Sequence, residues 1–246
     1  MRCFLTLMLL LGTAYHTSAQ ETVGEFTFEF DTPDDFDIFE SDDLFVNTSS
    51  YFDVLDQGDP GVATSLLMFN NNDSIFFAAR DIDANATTPE AQITFDSLNI
   101  TGLQNIAFAG LFAEDAASDG NSDWDTDDFF RLEYSIDGGA FAPLLSFIST
   151  TADGAALFDR FDDGSLDGGS LNPTFTSYTA PISGTGDELL LRATMSLDEL
   201  EEDIAFDNFV VTAVAVPEPG SLLALTCLTT GAGIVRRRRK TKSARR

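Results

Sequence analysis

The chain has 246 residues, 43% of them hydrophobic, and a formal net charge of −28. Of its 41 acidic residues all but Glu218 lie between Gln20 and Val216, whereas only four of its 13 basic residues do (Arg80, Arg131, Arg160, Arg192), so that stretch carries −36. It holds no Lys, His or Cys, which excludes Ser–His–Asp and Cys–His catalysis, Schiff-base chemistry, the usual zinc, copper and haem ligands, and nucleic-acid binding by counterion release.

In chain order, Met1-Arg2 is a short positive start, Cys3 to Leu11 is apolar, and Thr17-Ser18-Ala19 is a small-residue cleavage site. This is the pattern of a signal peptide over 1–19, and its apolar run is too short to span a bilayer. An exported body over 20–214 follows. Without a disulfide, it depends on a large apolar core or on bound cations.

The body reads as strands with one buried face. Phe26, Phe28 and Phe30 alternate with polar residues, as do Leu132, Tyr134 and Ile136, and Leu189, Leu191, Ala193 and Met195. Similar runs cover 66–69, 75–79, 93–100, 106–112, 141–148, 175–178 and 204–214. Asp137-Gly138-Gly139 lies between two such runs and predicts a hairpin turn. No segment holds a helical period; residues 197–202 fit one helical turn. About ten to twelve short strands predict an all-β, two-sheet antiparallel sandwich of jelly-roll type.

Four body motifs run in order: Phe77-Ala78-Ala79-Arg80-Asp81-Ile82-Asp83, then Phe95 to Gly102, then Tyr134 to Gly139, then Glu202-Asp203-Ile204-Ala205-Phe206-Asp207-Asn208. Together they resemble jelly-roll modules of secreted bacterial proteins. The last is similar to the closing strand of MAM-type and carbohydrate-binding sandwiches, and that resemblance implies a structural calcium on an Asp such as Asp207. First and last strands of a jelly roll often adjoin, which would bring Glu29 and Asp31 to Asp207, with Asp81 and Asp83 as further ligands. Calcium also suits the chemistry, since it takes six to eight oxygens and this body offers little else. The alternative is a set of solvated acidic side chains in a halotolerant protein.

Asp123, Asp125 and Asp127 have the one-three-five spacing of a calcium loop. Asp128 stands where an EF-hand has Gly, however, and Tyr134 where its Glu should be, so this loop is not an EF-hand. Trp124, the only tryptophan, sits within it. It is a candidate for stacking on a sugar ring or for packing back onto the sandwich. Asp153, Asp159, Asp162, Asp163 and Asp167 make a third acidic loop in a Gly-rich stretch.

At the other end, Pro217-Glu218-Pro219 precedes an uncharged span over 221–235 and then Arg236-Arg237-Arg238-Arg239-Lys240. The span is about 22 Å long as a helix, short of the roughly 30 Å hydrocarbon core. Its Arg-rich tail, 236–246, stays cytoplasmic by the positive-inside rule. The prolines keep the preceding chain extended and open to an enzyme. This tripartite 215–246 segment resembles the PEP-CTERM sorting signal. The resemblance implies membrane anchoring, recognition by an exosortase, and a destination at the cell surface or in the extracellular matrix. A permanent membrane anchor is the alternative.

Three functions remain. The first is a non-catalytic, calcium-stabilised surface or matrix protein that contacts extracellular polysaccharide. A carbohydrate-binding module is the alternative. A glycoside hydrolase or lyase working through paired carboxylates ranks behind, because forty acids make some pair at suitable distance nearly inevitable.

Overall fold

The computed structural model describes residues 22–28, 38–41, 44–46, 50–56, 75–84, 90–115, 123–152 and 154–216. The expected signal peptide, the 66–69 run, Glu29, Asp31 and the sorting segment from Pro217 onward lie outside the described residues.

The described chain is all-β. Its strands are β1 (Thr22–Phe28), β2 (Ile38–Ser41), β3 (Phe45–Val46), β4 (Tyr51–Asp56), β5 (Ile75–Arg80), β6 (Ala91–Phe95) and β7 (Leu98–Asn99). Then come β8 (Leu103–Ala113), β9 (Phe129–Ile136), β10 (Ala142–Ile148), β11 (Leu157–Asp159), β12 (Thr176–Pro181), β13 (Glu188–Ser196) and β14 (Asp203–Ala215). A 3-10 turn at Ile82–Ala84 is the sole helical element among the described residues. No described helix is long and apolar enough to cross a membrane.

All pairings are antiparallel. The first sheet has the order β12-β8-β14-β5-β4-β3. Opposite β8, the edge of β14 is shared: β5 pairs with Asp203 to Phe206, and β1 pairs further along, Phe28 with Phe209. The second sheet has the order β11-β10-β9-β13-β6-β2, with β7 also on β13. The adjacency of first and last strands, expected from the sequence, is therefore present.

Phenylalanine fills the space between the sheets. Phe112 of β8 has ring centroids 5.5 Å from Phe130 and 5.0 Å from Phe147 on the facing sheet, and 5.4 Å from Phe209 beside it. Phe206 stacks on Phe77 at 4.9 Å and on Phe209 at 5.1 Å. Such contacts between large rings give a core its specific geometry as well as buried area.

The period-two readings at β1, β5, β8, β9, β10, β12, β13 and β14 correspond to strands. The expected 93–100 strand divides into β6 and β7 around the exposed Asp96 and Ser97. β4 was not expected, because its residues are buried on both faces. Tyr51 and Leu55 pack with Phe76, Ala78, Phe175 and Ala205 in a second apolar cluster outside the first sheet, and this erases the alternation. At 137–139 the expected hairpin turn has Asp137 at φ 52 and Gly138 at φ 68, the paired positive angles of a type I′ turn.

The strands define two poles. At one, β5, β8 and β13 end while β4, β9 and β14 begin. Its two halves are joined by the Ile82 amide, which donates to the Leu197 carbonyl at 2.9 Å. At the other lie the Asp137–Gly138 turn and the end of β14, where the Val216 amide donates to the Gly102 carbonyl at 2.8 Å.

Candidate functional site

The first pole collects several buried carboxylates, Asp128, Glu202 and Asp203 among them. β9 and β13 pair with Phe129 beside Ser196, so the segment leading into β9 meets the turn that joins β13 to β14. Asp125, Asp198 and Glu202 each place a carboxylate oxygen within 4.8 Å of the others.

Asp128 completes the group. One of its oxygens, Oδ2, accepts the Asp125 amide. Glu202 Oε2 accepts the amides of Asp198 and Glu199 at 2.8 and 2.7 Å. The remaining oxygens, Asp128 Oδ1 and Glu202 Oε1, are buried and receive no amide or hydroxyl donor; the two carboxyls lie within hydrogen-bond reach of each other. Burial pushes the Asp128 carboxyl up to about 9, and the neighbouring Glu202 and Asp125 add to the rise. Glu202 is also raised, chiefly by burial.

Next to this group, Asp203 faces the other way. Its Oδ1 accepts the Asp115 amide at 2.7 Å. Burial drives its carboxyl well above the usual carboxylate range, opposed by that amide and by the Arg80 guanidinium.

The structure sorts the sequence candidates clearly. Asp81 is buried at the end of β5, where it accepts the Ser50 hydroxyl at 2.6 Å. Asp83 is exposed on the 3-10 turn; its carboxyl is raised by partial desolvation, then by Asp81 and Asp198. Both belong to the acidic pole.

Asp207 does not join them. Arg80 pairs with Asp203, which puts Asp207 four residues further along β14, about 13 Å away. Its Oδ1 accepts the Asn208 amide at 2.7 Å and its Oδ2 the Asn208 side-chain amide at 3.3 Å. Among the described residues no cluster of potential metal ligands includes Asp207. The expected single cluster of Asp81, Asp83 and Asp207 is thus corrected by strand register, while Glu29 and Asp31 lie outside the described residues.

In the one-three-five loop only Asp125 reaches the carboxylate group. Asp127 is exposed and Asp123 half-buried; the Asp127 amide donates to Asp125 Oδ1 at 2.7 Å. Trp124 corrects the sugar-stacking expectation, for it is fully buried. Its Nε1 donates to the Asp203 carbonyl at 3.1 Å, and its own carbonyl accepts the Gly154 amide at 2.8 Å. A ring with no exposed face cannot bind a sugar.

In the third acidic loop Asp153 lies outside the described residues, and the rest of the loop is bound to its own backbone. Buried Asp159 accepts the amides of Phe161, Asp163 and Gly164, and Asp167 accepts that of Arg160.

Sequence reasoning does not select Asp128, Asp198 or Glu202. Asp128 occupies the place that ruled out an EF-hand, and the other two flank a short turn. The β9–β13 register brings them together, and no local spacing encodes it.

No protein-family model matches the chain, and no curated protein matches it significantly in sequence. Solved structures with a similar fold include a cyclase from Fischerella sp. TAU in complex with 4-(1H-indol-3-yl)butan-2-one. It is 12% identical with a TM-score of 0.42, the match covering 79% of this chain and 87% of that one. Others are the CBM27-1 of Caldicellulosiruptor saccharolyticus in complex with mannohexaose (13%, TM-score 0.39, 77% and 97%) and the CBM22-1 xylan-binding domain of Paenibacillus barcinonensis Xyn10C (11%, 0.35, 78% and 95%). At these scores the likenesses say nothing of this chain's ligand or activity.

Proposed function

We propose that this chain is a non-catalytic surface or matrix protein: an exported jelly-roll body handed to an exosortase through its PEP-CTERM tail. The carrying observation is the course of β14. This strand of 13 residues begins at the acidic pole and ends at Ala215, two positions before Pro217. At about 3.3 Å per residue it is roughly 40 Å long. The tail therefore leaves the body at the pole opposite the carboxylates, an arrangement suited to a module standing on a membrane with its acidic end outward. Replacing Pro217-Glu218-Pro219 is expected to leave an unprocessed, membrane-retained precursor. Unchanged mass and fractionation would remove the sorting role.

A second reading, polysaccharide binding, rests on the outer face of the second sheet. Gln92, Thr94, Glu133, Arg192 and Thr194 alternate with core residues there and are half-buried. The Arg192 guanidinium pairs with Glu133 at 2.6 Å and lies 3.8 Å over the Phe141 ring. A flat polar row beside an aromatic ring suits sugar hydroxyls and ring faces. A glycan array that detects binding, with loss on Arg192→Ala, supports this reading; no binding, or binding unaffected by that change, removes it.

A further inference from the structure

The sandwich is closed at the acidic pole by two segments that carry only negative charge toward each other. Glu202 is 0% and Asp128 2% exposed. Each has spent one oxygen on backbone amides and keeps the other buried with no amide or hydroxyl donor, the two carboxyls facing each other. Asp125 and Asp198 bring two more carboxylates to the same place. Two ion pairs, Arg131 with Asp162 and Arg192 with Glu133, lie elsewhere. A buried anionic oxygen without a donor is costly, and a positive charge between the carboxylates relieves that cost.

We propose that Asp125, Asp128, Asp198 and Glu202 form a calcium site that ties the segment entering β9 to the turn between β13 and β14. This goes beyond the sorting reading and stands or falls separately from it. The donors are all oxygens, which selects a hard cation over zinc or copper. Calcium binds oxygens at 2.3–2.6 Å, so opposed ligands sit up to about 5 Å apart; the oxygens of Asp125, Asp198 and Glu202 lie within 4.8 Å of one another. Magnesium keeps several of its waters, and Asp128 and Glu202 are closed off from solvent. Asp198 and Asp125, more exposed, leave the outer side open for water to complete the shell. The competing occupant is a proton shared between Asp128 and Glu202.

Trp124, the single tryptophan, adjoins Asp125 and reports on the site. The test is a titration of the purified full chain with calcium chloride at constant ionic strength, read by Trp124 fluorescence and by melting temperature. Magnesium and sodium arms run in parallel. We expect a saturable, calcium-specific rise in melting temperature and a fluorescence change with the same midpoint. Asp198→Asn alters an exposed side chain and removes one like charge. It is expected to raise the calcium midpoint at least tenfold, with a melting temperature in chelator no lower than wild type. Asp163→Asn, in the other acidic loop, should leave the midpoint unchanged. A response equal in magnesium or sodium would overturn the proposal. So would wild-type midpoints in both Asp198→Asn and Asp125→Asn, which would put the calcium elsewhere.

Discussion

Phe112→Ala is the sharpest test of how this sandwich is held together. Phe112 is fully buried and its ring neighbours five others: Phe130, Phe147, Tyr178, Phe206 and Phe209, at centroid distances of 5.0 to 6.4 Å. Those partners come from both sheets, β12 and β14 of the first and β9 and β10 of the second, so the truncation opens a cavity where the layers meet. Large-to-small changes of a buried Phe cost about 3–5 kcal/mol. The rings around the hole are rigid and collapse into it poorly, which favours the upper half of that range. For a domain of this size each kcal/mol shifts the melting temperature by about 2–4 °C, so the expected drop is about 8–20 °C. Urea denaturation gives the free energy directly. Phe161→Ala is the control, because Phe161 is 46% exposed and should change stability by no more than about 0.5 kcal/mol. A Phe112→Ala cost below about 1.5 kcal/mol would refute the reasoning, since it would mean that the two sheets do not close over that ring.

Trp124→Phe removes the donor to the Asp203 carbonyl and leaves part of the indole's space empty; the expected loss in urea denaturation is about 1–3 kcal/mol from the unpaired carbonyl, with a further cost from the cavity left by the smaller ring. Any glycan binding by the protein should be unaffected, because the ring is buried. Asp207→Ala should lower the melting temperature by the same amount in calcium and in chelator, since both carboxylate oxygens are engaged by Asn208; a loss confined to calcium would return Asp207 to a metal site. Asp53 is raised by burial, opposed by its bond from the Val54 amide. Its folded pKa therefore lies above the unfolded value, and the stability it contributes at low pH is lost as pH rises through the folded pKa. Asp53→Asn should accordingly gain stability relative to wild type as pH rises from 3 to 7, and a gain independent of pH would count against that assignment.

The sandwich was legible in the sequence wherever one face of a strand is wet. β9 and β13 alternate cleanly because their outer faces carry Arg131, Glu133, Arg192 and Thr194. β4 hid because Tyr51 and Leu55 are covered by Phe76 and Phe175 on the side that should have been polar. Turn chemistry was legible too: Asp137 and Gly138 adopt the left-handed angles that their types tolerate. The acidic pole was legible only as an excess of Asp and Glu. Asp125 stood out by local spacing, and spacing equally promoted Asp127, which faces solvent. Asp128, Asp198 and Glu202 become neighbours through pairing across 67 residues of chain, Phe129 beside Ser196, and Asp81 separates from Asp207 for the same kind of reason. Composition supplied the carboxylates, and long-range register chose which of them meet.

The position of β14 also bears on when the protein can fold. It is a central strand of the first sheet, yet among the described strands it is the last in the chain, and its partner β1 is the first, with Thr22 opposite Val214. That sheet has no middle until nearly all of the body has been delivered, and the loop closed by the pairing is almost as long as the body itself, which makes folding slow. On the export route proposed above the N-terminus leaves first. The chain would then cross the membrane as an unfolded thread and assemble only outside, where the final strand arrives just ahead of the segment that the sorting enzyme reads. Completion of the fold and presentation of the sorting signal would thus be consecutive events on one strand.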